Sequence, residues 1–311
     1  MAVSIPLLLI VTLIQVVLGF WAIRSTHKKV WILFSWINLF GSVSAIFYWA
    51  NVSSPFLLML FYIVISLTIL KVLVCLKTYS GKVPLNFSQW LCFCLAWVGM
   101  RPTLFERLRF TNPSFEVNEL LIKALTRMVA GCIFLFVATF ALPTELYYVR
   151  FYVLLIGLSL FLHFGILNLQ AWWWNCWGAA CSELFKSPLK SKSLHEFWGK
   201  RWNLAFSEMT AVLIYRPLKQ SYSSSVALFI AFLFSGMLHE MAISFPVKYG
   251  IGMPMLYFFL HGILMLMEQQ FPLLSKLLQN PWISRIWVIF WLIAPLPLLF
   301  HQEFVKMFMI Q

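Results

Sequence analysis

The stretch "ALFIAFLFSGMLHEMAISF", residues 227–245, decides the fold class. Its nineteen residues include one formal charge, Glu240. At about 1.5 Å of rise per residue, such a run crosses the hydrocarbon core of a bilayer, which is about 30 Å thick. Similar apolar runs fall at about 3–23, 30–50, 54–76, 119–142, 146–169, 251–270 and 284–301. A shorter one, 85–100, lies between Lys82 and Arg101. Lipid-exposed backbone must satisfy its own hydrogen bonds, so all of them read as helices. The expected fold is all-α, a polytopic transmembrane bundle of eight or nine membrane helices. Neither an internal repeat nor a second soluble domain is visible, so residues 1–311 read as one multi-pass domain.

Composition agrees. Hydrophobic residues make up 62% of the chain and charged residues 11%, against about 25% charged in a typical soluble domain. The 23 Lys and Arg exceed the 10 Asp and Glu. In a membrane protein such an excess marks cytoplasmic loops. Arg24, Lys28 and Lys29 follow the first run, Lys77 and Lys82 the third, then Arg101, Arg107 and Arg109, then a block from Lys186 to Lys219. These predict one cytoplasmic face with the N-terminus opposite. With Lys82 and Arg101 on the same face, 85–100 does not cross. No basic domain stands outside the membrane, which argues against nucleic acid. The first run is too long for a signal-peptide core and reads as a retained helix. Asn51-Val52-Ser53 fits an N-glycosylation pattern on the far side, close to the membrane. The six cysteines lie mostly in apolar runs, without C-x-x-C or zinc spacing, and predict neither a disulfide framework nor a metal site.

One long interruption spans 171–223. It opens with "AWWWNCW", residues 171–177, a tryptophan density expected at headgroup level. A basic loop containing Pro188 follows, then "SLHEFWGKRWN", residues 193–203. On a helix Trp198 and Trp202 are four apart and share a face, with Lys200 and Arg201 on others. A basic face beside an aromatic face suits a lipid with a phosphorylated head: cations meet phosphate and indoles cover the apolar part. An interfacial anchor would read the same way. Asn203, which ends the stretch, offers both a donor and an acceptor.

Ionisable groups inside membrane helices are costly and are functional candidates by default. They are Lys71, His163, His239, Glu240, His261 and Glu268. Lys71 is near a helix end and is expected to snorkel; Glu268 is expected at an interface. His163 and His261 are mid-span and read as partners of other helices or of a site. His239 lies about 20 Å into its helix, one turn after Ser235 and Gly236, whose small side chains admit a neighbouring backbone or a substrate chain. A neutral His there serves either as a general base or as an interhelical hydrogen-bonding group. Glu240 points about 100° away around the helix; it either binds a neighbouring helix or shapes the mouth of a site. His239-Glu240 is followed by Met241, Ala242 and Ile243, so the second ligand of an H-E-x-x-H zinc site is missing. No G-x-S-x-G elbow is present. A lipid or ion transporter with a midplane His is the reading from a different class, but paired broken helices in two halves are not visible.

Two segments together resemble a family. "HEFWGKRWN", residues 195–203, is similar to the F-W-G-R-R-W-N signature of plant-type wax synthases, a branch of the membrane-bound O-acyltransferases. "FLFSGMLHE", residues 232–240, resembles their later S-G-x-x-H-E helix. The order fits, and thirty-six positions separate Asn203 from His239. The resemblance is specific over 182–245 and departs at Lys200, where Arg is common. It implies a helical bundle with a buried catalytic chamber, in the endoplasmic reticulum of a eukaryote or the cytoplasmic membrane of a bacterium. It implies acyl-CoA as co-substrate, a lipophilic alcohol as acceptor, no cofactor and no metal. Carried over by position, His239 is the catalytic base and Asn203 supports it. Trp198, Lys200, Arg201, Trp202 and Glu240 become substrate-binding candidates, with Lys186, Lys190 and Lys192 beside them for the CoA phosphates. The acceptor reads first as a long-chain alcohol, with a sterol, a terpenoid alcohol or diacylglycerol as alternatives, and acetyl-CoA as a possible donor.

Overall fold

The computed structural model describes residues 4–50 and 52–308; the glycosylation pattern rests on Asn51, which lies outside them. Among the described residues seven helices are long and apolar enough to cross a membrane: α1 (Ile5–Arg24), α2 (Lys28–Trp49), α3 (Pro55–Thr78), α5 (Phe115–Ala141), α6 (Tyr147–Cys176), α7 (Ser224–Val247) and α9 (Pro281–Leu299). Of two further runs, 85–100 behaves as expected and 251–270 differs. Residues 85–100 form α4 (Phe87–Leu95), nine residues long and too short to cross. The expected run 251–270 becomes α8 (Met253–Gln270), eighteen residues that include His261, Glu268, Gln269 and Gln270. It packs along α7, its most extensive partner.

The bundle is built around α3, most of which is buried. By contrast α1, α2 and α5 turn large apolar side chains outward, among them Leu13, Leu33 and Ile122, as lipid-facing helices do. Helices α5 and α6 approach at their glycines: a Cβ on Gly131 would sit 2.7 Å from the Phe161 nitrogen, and one on Gly157 2.9 Å from that of Leu135. Small residues let membrane helices come this close. Helix α6 has thirty residues, about 45 Å at ideal rise, and outruns the hydrocarbon core. Its tryptophan-rich end therefore belongs to the same helix as the span, not to a separate interfacial one. Trp173 is exposed there, while Trp174 is buried and donates to Ala96 O at 2.9 Å.

The basic loops are knitted together on one face. Lys28 Nζ donates to the carbonyls of Tyr79 at 2.5 Å and Gly81 at 2.6 Å, Arg24 donates to Leu85 O at 2.9 Å, and Arg101 pairs with Glu208.

Four buried charges share one solution. Lys71 does not snorkel: it is 1% exposed and donates to the carbonyls of Phe93, Cys94 and Trp97 where α4 ends. Arg150 donates to Ala138 O at 3.0 Å near the end of α5. Glu240 and Glu268 instead accept from backbone N–H groups where helices begin. Helix termini carry unpaired carbonyls at one end and unpaired N–H groups at the other, with partial charges to match. A buried ion is satisfied there without a counter-ion.

Candidate active site

The signature segment folds differently from one amphipathic helix. Ser193 accepts from the Glu196 nitrogen at 2.9 Å and starts a turn, Leu194–Glu196. That turn widens into a π-helical turn, Phe197–Arg201, closed by Trp202 N donating to Phe197 O at 2.8 Å. Trp202 is extended and Asn203 is left-handed, with φ 44° and ψ 64°. Asn is among the few residues that adopt this conformation at modest cost. Its Oδ1 then caps the next helix, Leu204–Thr210, by accepting from Phe206 N at 3.3 Å. Trp202 stacks on Phe197 with ring centroids 5.3 Å apart.

Two anchors hold the segment. Glu268, on α8, accepts from the nitrogens of Leu194 at 2.8 Å and His195 at 3.2 Å and from the Trp287 indole at 2.9 Å. Arg201 pairs with Glu196 at 2.6 Å and reaches the carbonyls of Lys186 and Ser187. Burial alone would raise the Glu196 carboxyl. The Lys192 N–H and the Arg201 guanidinium outweigh it and hold the group below its usual value.

Trp198, Trp202 and Asn203 line a cavity of about 360 Å³ with His239 of α7 and Phe258 of α8. His195, Gly199, Ser224 and Gln269 line its exposed end, beside the basic block. His239 Nδ1 lies 2.8 Å from Ser235 O. A carbonyl only accepts, so Nδ1 carries the proton and the neutral ring presents its basic Nε2 to the cavity. The ring lies against Phe258, centroids 4.3 Å apart, and Phe206 at 5.5 Å. Because Asn203 Oδ1 faces a backbone N–H, its Nδ2 amide is the donor left over. The cavity hydroxyls of Ser207, Thr210 and Ser235 donate to main-chain carbonyls. They offer lone pairs but no free proton. The site therefore combines the His239 nitrogen and the Asn203 amide with largely apolar walls, and Tyr215, His195, Ser224 and Gln269 add further polar groups to the lining.

Other expected site residues fall elsewhere. Glu240 is not part of the cavity lining; it accepts from Gly252 N at 2.8 Å and Met255 N at 3.2 Å and so caps α8. Lys200 is exposed outside the cavity lining, and Arg201 is committed to Glu196 and the loop before the signature. His163 packs on Phe185 and Trp202 behind the wall. His261 is fully buried, and its Nδ1 accepts from the Trp198 indole N–H at 3.1 Å. Reasoning from sequence missed that pair, along with Phe258 and the anchoring role of Glu268. The signal was a mid-helix His on a helix that follows the signature.

Comparison with known proteins meets this geometry at the same residues. Residues 181–260 match the family described as Membrane bound O-acyl transferase. The match covers about a quarter of the chain. The matched residues hold the signature turn, all of α7 and the first turns of α8, and so the Asn203 and His239 sides of the cavity. "Probable long-chain-alcohol O-fatty-acyltransferase 6" of Arabidopsis thaliana is 33% identical over 132 residues, 37% of this chain and 38% of that protein. The long-chain-alcohol O-fatty-acyltransferase of Simmondsia chinensis is 32% identical over 88 residues, 25% of each chain. Acyl-CoA–sterol O-acyltransferase 1 of Arabidopsis thaliana is 32% identical over 83 residues, 24% of each. The matched stretches thus span less than two fifths of these relatives.

Proposed function

We propose that the chain transfers a fatty acyl group from acyl-CoA to the hydroxyl of a lipophilic alcohol dissolved in the membrane. The observation that carries this is the hydrogen bond from His239 Nδ1 to Ser235 O, which leaves Nε2 as a base facing a largely apolar cavity beside the Asn203 amide. The named relatives support the acyl-transfer class and an alcohol acceptor. His239 Nε2 takes the alcohol proton as the oxygen attacks the thioester carbonyl. Asn203 Nδ2 donates to the developing oxyanion. The C–S bond then breaks, and the imidazolium returns the proton to the leaving thiolate, releasing the ester and CoA. General-base catalysis of this kind contributes about 10²–10⁴-fold. Largely apolar walls limit the water that would hydrolyse the thioester. Lys200, with Lys186, Lys190 and Lys192, receives the CoA phosphates at the basic face; Arg201 orders the loop that carries three of these lysines.

The test is expression in cells lacking neutral-lipid acyltransferases, fed a long-chain alcohol, with lipid extracts analysed by mass spectrometry. Wax esters are expected, falling about 10²–10⁴-fold in His239→Ala at equal protein level. Esters that persist in the variant would remove the base from His239. A variant-sensitive ester formed only from a sterol would move the acceptor to that class, for which one relative also speaks.

A further inference from the structure

Outside the chamber, a second polar site lies between α1, α2 and α3. Gln15 Nε2 donates to Ser42 Oγ at 3.0 Å, and Ser42 Oγ donates to Asn38 Oδ1 at 2.9 Å. This chain joins α1 to α2, as polar residues often do in membranes, but it leaves groups over. Ser42 has spent its proton on Asn38, so Gln15 Oε1 faces elsewhere. It is buried and unpartnered among the described residues, on a side chain 7% exposed. Gln15, Ser35 and Asn38 all line one small cavity of about 20 Å³. That volume holds about one oxygen atom. Leu18 and Phe34, both facing outward, and Trp31 wall the same cavity.

Depth narrows the occupant. Gln15 lies about 14 Å along α1 from Arg24, and Asn38 about 15 Å along α2 from Lys28. Both are near the middle of a core about 30 Å thick. A charged head is excluded there, because no charged side chain lines the cavity to meet it. The vacant groups are an acceptor (Gln15 Oε1), a donor (the Asn38 amide N–H) and the Ser35 hydroxyl, which is both. A ketone or ester only accepts and would leave Gln15 Oε1 unpaired. A hydroxyl donates and accepts.

We propose that the groove between α1 and α2 binds the hydroxyl of a membrane-dissolved alcohol, its chain lying along Leu18, Trp31 and Phe34. The site shares no residue with the chamber and does not depend on the acyl-transfer reading. Water presents the same hydrogen-bonding chemistry without the chain, and the test separates the two. The full chain in lipid nanodiscs is photolysed with a long-chain alcohol carrying a diazirine and a terminal alkyne, and the labelled peptides are mapped. Label is expected on α1 and α2. An excess of the unlabelled alcohol should remove it, and the alkane of equal length should not. It should drop about tenfold in Gln15→Leu and severalfold in Ser35→Ala, which leaves the α1–α2 bonds intact, and persist in His239→Ala. Equal competition by the alkane would mean that the groove reads only the chain. Label unchanged in both variants, or none above lipid background, would leave water or nothing in the cavity. Each of these results overturns the proposal.

Discussion

Asn203 performs two tasks that substitution can separate. Its backbone is left-handed and its Oδ1 caps the helix Leu204–Thr210, while its Nδ2 is assigned to the oxyanion. Replacement by Ala places a Cβ residue in a conformation that costs about 1–2 kcal/mol and removes a cap worth about 1 kcal/mol. Asn203→Ala should therefore lose about 2–3 kcal/mol of stability and the amide donor together. Asn203→Gly relaxes the backbone and gives up only a few tenths of a kcal/mol of capping, so its unfolding temperature in detergent should stay near wild type. Asn203→Asp keeps the cap but turns an oxygen, not an N–H, toward the chamber. If Nδ2 steadies the oxyanion, the Gly and Asp variants should both lose about 10²–10³ in kcat. The assay is ester formation by purified variants, normalised to folded protein by size-exclusion chromatography. A Gly variant with normal stability and near-normal kcat would refute the catalytic role and leave Asn203 as a cap alone.

The remaining predictions concern the scaffold. Glu268→Ala strands the N–H groups of Leu194 and His195 and the Trp287 indole; stripping one partner from such a buried charged contact costs about 3–5 kcal/mol. Hydrogen exchange at Leu194 and His195 should quicken by at least about a hundredfold, and exchange within tenfold of wild type would deny the anchor. His261→Gln can still accept from the Trp198 indole, whereas His261→Phe cannot; Phe should change the ranking of acyl chain lengths and Gln restore it, so identical rankings in both would make His261 plain packing. For Glu196, held below its usual value, the sign follows directly: the contact stabilises above the unfolded carboxyl value of about 4.3 and is lost as pH falls through the lower folded value. Proteolysis of the signature loop should rise only in that acid range, and a rise near neutrality would contradict the assignment.

How legible the molecule was in its sequence depends on the range of the interaction. Seven of the spans could be read from local patterns, because hydropathy is local, and the same local reading singled out His239 and Asn203, which line one cavity. The short α4 was readable from the charges at its ends. Glu240 was not: its neighbour His239 suggested a shared site, but one step along a helix turns a side chain by about 100°, and its partners are at Gly252 and Met255. Nor was Lys71 readable, since its carbonyl partners begin 22 residues away. The Trp198–His261 bond joins positions 63 apart. The π-helical turn escaped because a pattern of Trp at four-residue spacing fits an ordinary helix equally well.

These long-range contacts bear directly on what the chamber offers chemically. A membrane protein carrying Lys71, Arg150, Glu240 and Glu268 in its interior risks placing fixed charge beside a reacting ester. Each of the four is instead bound to a helix end, and none lines the cavity. The Ser207, Thr210 and Ser235 hydroxyls of the chamber are likewise turned back onto main-chain carbonyls. A water molecule entering would find few donors, and buried water needs two to four polar partners to be held well. An alcohol needs fewer, because its chain gains from the apolar walls and its single hydroxyl needs one base. The discrimination between alcohol and water that acyl transfer requires would thus come from how little polarity the walls leave over, with His239 Nε2 placed where the remaining hydroxyl must point.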